Sequence, residues 1–278
     1  MNFKLVADSS ANVFSMPDVA YSSVPMKIIT TQAEYVDTPA LDVKEMVEQI
    51  RVTKGKSGTS CPNMRDWLDA FDGADRVFAV TITSNLSGSH ASCVQAAADY
   101  EEANPDAKVC VIESLSAGPE LGLILERIRS RILEGWEYER IVEDVRAYQG
   151  HTHLAFSLES LTNFARNGRV DPAVAKIAGV LGIRVVGVAS EAGTLEPLHK
   201  CRGEKKALTA IFTEMKARGY RGGRVRIANC FNLPAAQQME ALIKAEFADA
   251  MVEHEECSAL CSFYAERGGL LVGFEDAN

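Results

Sequence analysis

Along the first half of the chain, short apolar runs rich in β-branched residues alternate with stretches whose apolar positions recur every three or four residues. The runs predict strands over 3–7, 24–30, 76–82 and 108–113. The clearest is Arg76-Val77-Phe78-Ala79-Val80-Thr81-Ile82, apolar enough to be covered on both faces of a sheet. Pro25 places the second strand at an edge or a start, because proline offers the ladder no N–H. Between the runs, Val43, Met46, Val47 and Ile50 make one helical stripe behind a pair with capping-box spacing, Asp42 and Glu45. Met64, Trp67, Leu68 and Phe71 make another behind Asn63, and the Ala-rich stretch 90–103 makes a third. Strands and helices alternating in this order predict parallel βαβ units with right-handed crossovers.

The alternation then fails. Helical patterns over 120–133 and 137–148 follow each other with only Glu134-Gly135-Trp136 between them, so a domain boundary is expected near Gly150. Beyond it the pattern predicts strands at 152–157, 184–189, 195–199, 224–229, 250–254 and 270–274, with a hairpin across 190–194. Helices are predicted at 158–166, 172–181, 204–218, 234–246 and 258–266. The expected fold class is α/β: a parallel-sheet α/β/α domain over residues 1–150 and a mixed-sheet α/β domain over 151–278.

Composition narrows the picture. With 278 residues there is room for two domains of roughly 100–150 residues. Hydrophobic residues at 47% and charged residues at 24% belong to a chain that folds rather than one that stays disordered. Lys and Arg number 29 against 38 Asp and Glu, and the net charge of −9 argues against nucleic acid as a partner and against a basic membrane-binding surface. No stretch approaches the ~18 consecutive apolar residues of a membrane span, and the start of the chain lacks the order of an export signal. Seven scattered cysteines without a CxxC pair fit a reducing compartment, so a cytoplasmic protein is expected. No cofactor is expected, since neither GxGxxG nor GxxxxGK[ST] occurs. No metal is expected either: His151 and His153 share a strand face but lack the third ligand of a catalytic zinc.

Hydroxyls collect in two loops, Ser57-Gly58-Thr59-Ser60-Cys61-Pro62-Asn63 and Thr83-Ser84-Asn85-Leu86-Ser87-Gly88-Ser89. In an open α/β sheet, ligands bind beyond the carboxyl ends of the strands, where a helix start also offers free N–H groups. The two loops are expected to face each other and hold the polar end of a ligand. The ordinary reading of either loop alone is helix capping and turn chemistry. Ser87-Gly88 has part of a nucleophile elbow but lacks the leading glycine of GxSxG, and no particular His and acid stand out as triad partners. Asn167-Gly168-Arg169 closes a helix with a glycine and presents an arginine, suited to carboxylate or phosphate, from a fixed turn. The basic stretch 200–206 reads as a solvated helix start.

With these residues in place, the chain resembles the DegV family of fatty-acid-binding proteins, which includes the FakB-type subunits of bacterial fatty acid kinase. Val6-Ala7-Asp8-Ser9-Ser10 is similar to the family's early Asp-Ser turn, and Tyr35-Val36-Asp37 follows it. Gly58-Thr59-Ser60-Cys61-Pro62-Asn63 resembles its Thr-Ser-x-Pro-Ser loop, with Asn63 in place of the last Ser. Thr81-Ile82-Thr83-Ser84-Asn85-Leu86-Ser87-Gly88-Ser89 resembles its Ile-Ser-Ser-x-Leu-Ser-Gly-Thr signature. Glu113-Ser114, Gly118, the segment 161–169 and Lys200-Cys201-Arg202 match further landmarks, in the same order from first strand to last.

The resemblance implies a DegV-like pair of domains with a long-chain fatty acid in a tunnel between them. It places the ligand carboxylate on the hydroxyls of Thr59 and Ser87, with Ser60 and Gly88 beside them, and sets Arg169 and Arg202 near the carboxylate and a partner's surface. That partner is a fatty acid kinase catalytic subunit, which phosphorylates the carboxylate while the non-catalytic binding protein presents it. Transient contact with a membrane is compatible with such a role. The family's C-terminal His-x-Gly-Pro-Gly reads Glu266-Arg267-Gly268-Gly269-Leu270 here, which puts Glu266 where the family's His approaches the ligand head. Two carboxyl groups so close are expected to share a proton. The competing expectation has Glu266 paired with Arg267 or facing solvent. Two other functions stay open at this point: a serine hydrolase acting on acyl esters through Ser87, and a protein whose loops are caps and nothing more.

Overall fold

The computed structural model describes residues 2–277 except 53–54, 174 and 176–181. Strands β1 (Phe3–Asp8), β2 (Ala20–Val24), β6 (Arg76–Thr81) and β7 (Lys108–Glu113) form a parallel sheet in the order β2-β1-β6-β7. The inner strands β1 and β6 are apolar at their centres, Leu5–Ala7 and Val77–Val80, because their alternating side chains feed two cores. Leu5, Phe78 and Val80 enter the core beneath helices α4 (Pro119–Leu133) and α5 (Tyr138–Tyr148). Val6, Val77 and Ala79 enter the one beneath α2 (Met64–Phe71) and α3 (Ser89–Ala103).

The expected strand at 24–30 is two strands in two sheets. Val24 ends β2, and Lys27 opens β3 (Lys27–Thr30), which pairs with β4 (Glu34–Val36) and β5 (Ser57–Ser60) in a small antiparallel sheet. Pro25 cannot continue the ladder, and the next N–H, of Met26, is taken by Ser9 Oγ at 3.0 Å. Half of the first hydroxyl loop is therefore strand, with Thr59 opposite Ile28. Helix α1 (Val43–Val52) brings Met46 onto Ile28 over this sheet.

The later strands form one mixed sheet. They are β8 (Thr152–Leu158), β9 (Ile183–Ala189), β10 (Leu195–Arg202), β11 (Val225–Asn229), β12 (Val252–Glu256) and β13 (Leu270–Glu275), in the order β10-β9-β8-β13-β11-β12. Only β11 and β12 run parallel. The hairpin across 190–194 forms, with Ser190 N donating to Thr194 O at 2.9 Å. Helices α7 (Glu204–Ala217) and α8 (Leu233–Glu246) cover one face through Leu208, Ile211, Met239 and Ile243. The helix expected at 158–166 is only α6 (Thr162–Arg166), because β8 runs on to Leu158. Most of the helix expected at 172–181 lies outside the described residues. The last helix is α9 (Ala259–Ala265).

Helix α4 lies between the two larger sheets. Its Leu121, Ile124 and Leu125 pack on the parallel sheet, and its first turn rests on β13 at Gly273. A Cβ at Gly273 would stand 2.7 Å from Glu120 N and 2.8 Å from the Pro119 carbonyl carbon, so the strand must be bare there. One turn on, Gly122 leaves room for Arg226, which bridges to Glu255 at 2.7 Å and Glu253 at 3.1 Å. Among the described residues, no helix is long and apolar enough to cross a membrane.

Candidate functional site

The loop after β6 is held by a buried carboxylate. Asp8, at the end of β1, accepts from Ile82 N at 3.0 Å, Ser89 Oγ at 2.7 Å, Ser10 N at 3.2 Å and the Ser10 hydroxyl. Burial raises its pKa above the ordinary aspartate value, and the four hydrogen bonds oppose that rise. Ser89 is the first residue of α3, so Asp8 fixes both ends of the loop. Within it, Ser87 Oγ accepts from Ser89 N at 3.2 Å and Gly88 stands at the helix cap.

The second loop comes from β5, and the two do face each other: a Cβ on Gly88 would lie 3.2 Å from Cys61 Sγ. From the second half of the chain, Arg169 Nε donates to Leu86 O at 3.1 Å, and its Nη1 donates to Asn167 O. Gly168, at φ +71°, gives Arg169 its fixed turn, and Arg169 N returns to Phe164 O at 2.8 Å. Tyr264 of α9 meets Thr59 Oγ1 with its hydroxyl at 2.8 Å.

These groups line a cavity of about 350 Å³. Thr59, Ser60, Ser87, Gly88, Arg169 and Tyr264 line it together with an apolar wall that includes Met26, Leu154, Phe156, Phe164, Leu260 and Leu271. The lining draws on the mixed sheet (Leu154, Phe156, Leu271), on β5 of the small sheet (Thr59, Ser60) and on loops beyond the parallel strands (Ser10, Ile82, Ser116), so it is assembled from distant parts of the chain. Such a chamber suits a long apolar molecule with one polar end.

Glu266 is not part of it, which corrects the expectation that it stands at the ligand head. Its carboxylate accepts from Ser160 Oγ at 2.8 Å and from Asn163 N at 3.3 Å. It lines a separate polar cleft of about 1050 Å³ with Arg166, Arg184 and Glu204. Tyr264 lies within α9, whereas Glu266 is the C-cap residue at φ +54°, where the chain leaves the helix and meets Ser160 and Asn163 instead. Arg267 bridges to Glu48 at 3.2 Å rather than to Glu266. Arg202 is exposed at the end of β10 and is not among the residues around the cavity.

Among the described residues none of the five histidines bonds to Ser87. His90 meets Thr81 and Glu113, His151 and His153 share Asp276, His199 meets Glu214, and His254 meets Glu240. Among the described residues no cluster of three or more His, Cys, Asp or Glu side chains is placed to hold a metal. Sequence reasoning passed over Tyr264 altogether, since a tyrosine in a short apolar helix carries no signal of its own. It quoted Asp8 and Asp37 only as family landmarks.

Comparison with known proteins gives one answer along the whole chain. A family model described as "Uncharacterised protein, DegV family" matches residues 2–276. A DegV domain-containing protein of Streptococcus pneumoniae is 42% identical over 99% of both chains. The crystal structure of the Streptococcus pneumoniae Fatty Acid Kinase (Fak) B3 protein loaded with linoleic acid superimposes with a TM-score of 0.98, at 41% identity and with both chains fully covered. A DegV family protein from Eubacterium eligens loaded with heptadecanoic acid gives 0.97 at 41% identity, covering 99% of this chain and 100% of that one. Neither comparison structure lends support to an acyl-ester hydrolase.

Proposed function

The chain belongs to the DegV family, and from that premise we propose that it binds a long-chain fatty acid and presents the carboxylate to the catalytic subunit of a fatty acid kinase. The observation that carries the reading is the cavity itself, lined largely by apolar side chains together with Thr59, Ser60, Ser87 and Gly88. Each buried methylene contributes about 0.8 kcal/mol, so ~14 of them supply roughly 11 kcal/mol before ordering costs. The tail therefore provides the affinity. The head needs only enough donors to avoid an unpaired buried charge, and two hydroxyls beside the first turn of α3 can supply them.

On this reading the protein is a non-catalytic subunit working in the cytoplasm, with residues 1–150 and 151–278 as the two units that enclose the acyl chain. Arg169 lies beside the head group, and Arg202 faces the partner. Mass spectrometry of lipid released from gently purified protein tests the first step, and an intact straight-chain fatty acid is expected. The double change Thr59→Ala/Ser87→Ala should weaken binding by about 1–3 kcal/mol and leave circular dichroism unchanged, since neither hydroxyl supports a core. Undiminished affinity in the double variant would take the head group away from these loops.

A further inference from the structure

We infer that Tyr264 is a head-group residue, its phenol donating to the ligand carboxylate beside Thr59, so that the head is gripped from both halves of the chain. This rests on the fatty-acid reading above. The two oxygens stand 2.8 Å apart and either can donate to the other. Each hydroxyl carries one proton, so their mutual bond uses one and leaves one to spare. Among the described residues no carbonyl or carboxylate accepts that second proton, and both side chains line the cavity. An anionic oxygen arriving there takes the spare proton at once, and both protons if the pair opens around it.

The phenol is well held for that purpose. Its ring lies 4.7 Å from that of Phe164 and edge-on to Phe263 at 5.0 Å, between centroids. The helix that carries it is fixed at its start by Asp37, which accepts from Ala259 N at 2.8 Å and Leu260 N at 3.1 Å. Arg169 adds a positive charge to the same chamber. Thr59 and Tyr264 come from elements more than two hundred residues apart in sequence, so this pair assembles only in the folded chain.

Tyr264→Phe removes the hydroxyl and keeps the ring packing. Palmitate and hexadecanol, titrated in parallel by displacement of a fluorescent fatty acid, separate a head-group role from a wall role. In the variant palmitate should bind about tenfold more weakly, while hexadecanol, which brings no charge, changes less than twofold. Thr59→Ala/Tyr264→Phe should lose less than the product of the two single losses, because both act on one carboxylate. Unchanged palmitate affinity in Tyr264→Phe, or an equal loss for both lipids, overturns the inference. Failure of the unaltered protein to bind palmitate overturns instead the reading beneath it, and this inference with it.

Discussion

At the scale of single residues, two buried carboxylates do opposite things. Asp8 gathers Ile82, Ser10 and Ser89 on one side chain, and Asp8→Ala leaves two N–H groups and two hydroxyls unmet. A loss of about 2–4 kcal/mol in urea unfolding is expected, with the loop after β6 released. Glu120 meets the hydroxyls of Ser116 and of Thr152, the latter at 2.8 Å, but burial outweighs them and pushes its pKa from 4.5 up to about 7. A carboxyl with a raised folded pKa contributes stability that is full below 4.5 and lost as pH rises through about 7. Between those values the protein should lose on the order of 3 kcal/mol that Glu120→Gln does not lose. Unfolding curves of the two proteins at pH 5 and pH 8 test this, and parallel behaviour would place Glu120 in contact with water.

Among the elements, α9 depends most on its surroundings. Seven residues are too few for a helix stable by itself, and its first N–H groups are met by Asp37, a residue from just beyond β4. Asp37→Ala should cost about 1–3 kcal/mol, as loss of a helix cap does. Because α9 carries Tyr264 and Leu260 into the cavity, fatty acid affinity should fall in the same variant. A melt shifted without any change in binding would detach the helix from the site. The strand β5 was legible only as a hydroxyl-rich loop. Ser57-Gly58-Thr59-Ser60 has no apolar alternation, and it becomes strand because β3 offers it a ladder thirty residues away in the chain.

For the whole molecule, the decisive contact is α4 wedged between the sheets. Gly273→Ala forces a Cβ against the backbone of Pro119 and Glu120, atoms that cannot rotate aside. A destabilisation of about 1–3 kcal/mol is expected, together with weaker fatty acid binding, since the cavity wall spans the same seam. Chemical denaturation with and without palmitate measures both. The surface carries a different expectation. Arg202 is exposed in a protein of net charge −9, and Arg202→Glu should spare fatty acid binding while lowering acyl phosphate formation with a kinase subunit. Raising the salt concentration should narrow the gap between variant and unaltered protein. Equal rates at every ionic strength would remove Arg202 from the docking surface.

The amino-acid sequence determined what depends on neighbours a few residues away. Leu5 and Val6, or Phe78 and Ala79, announce a strand covered on both faces, and the capping groups Asp42 and Asn63 mark where helices begin. It also marked the hydroxyl-rich segments of Thr59 and Ser87 as fit for a polar group, although Thr59 proves to lie in β5. Only the tertiary structure decided which groups share the chamber. Val24 and Lys27 part into different sheets because Ser9, distant in sequence, takes the Met26 N–H between them. Tyr264 reaches the cavity against Phe164 while Glu266, the positive-φ cap of α9, is taken by Ser160 and Asn163 a hundred residues away, contacts no local pattern encodes.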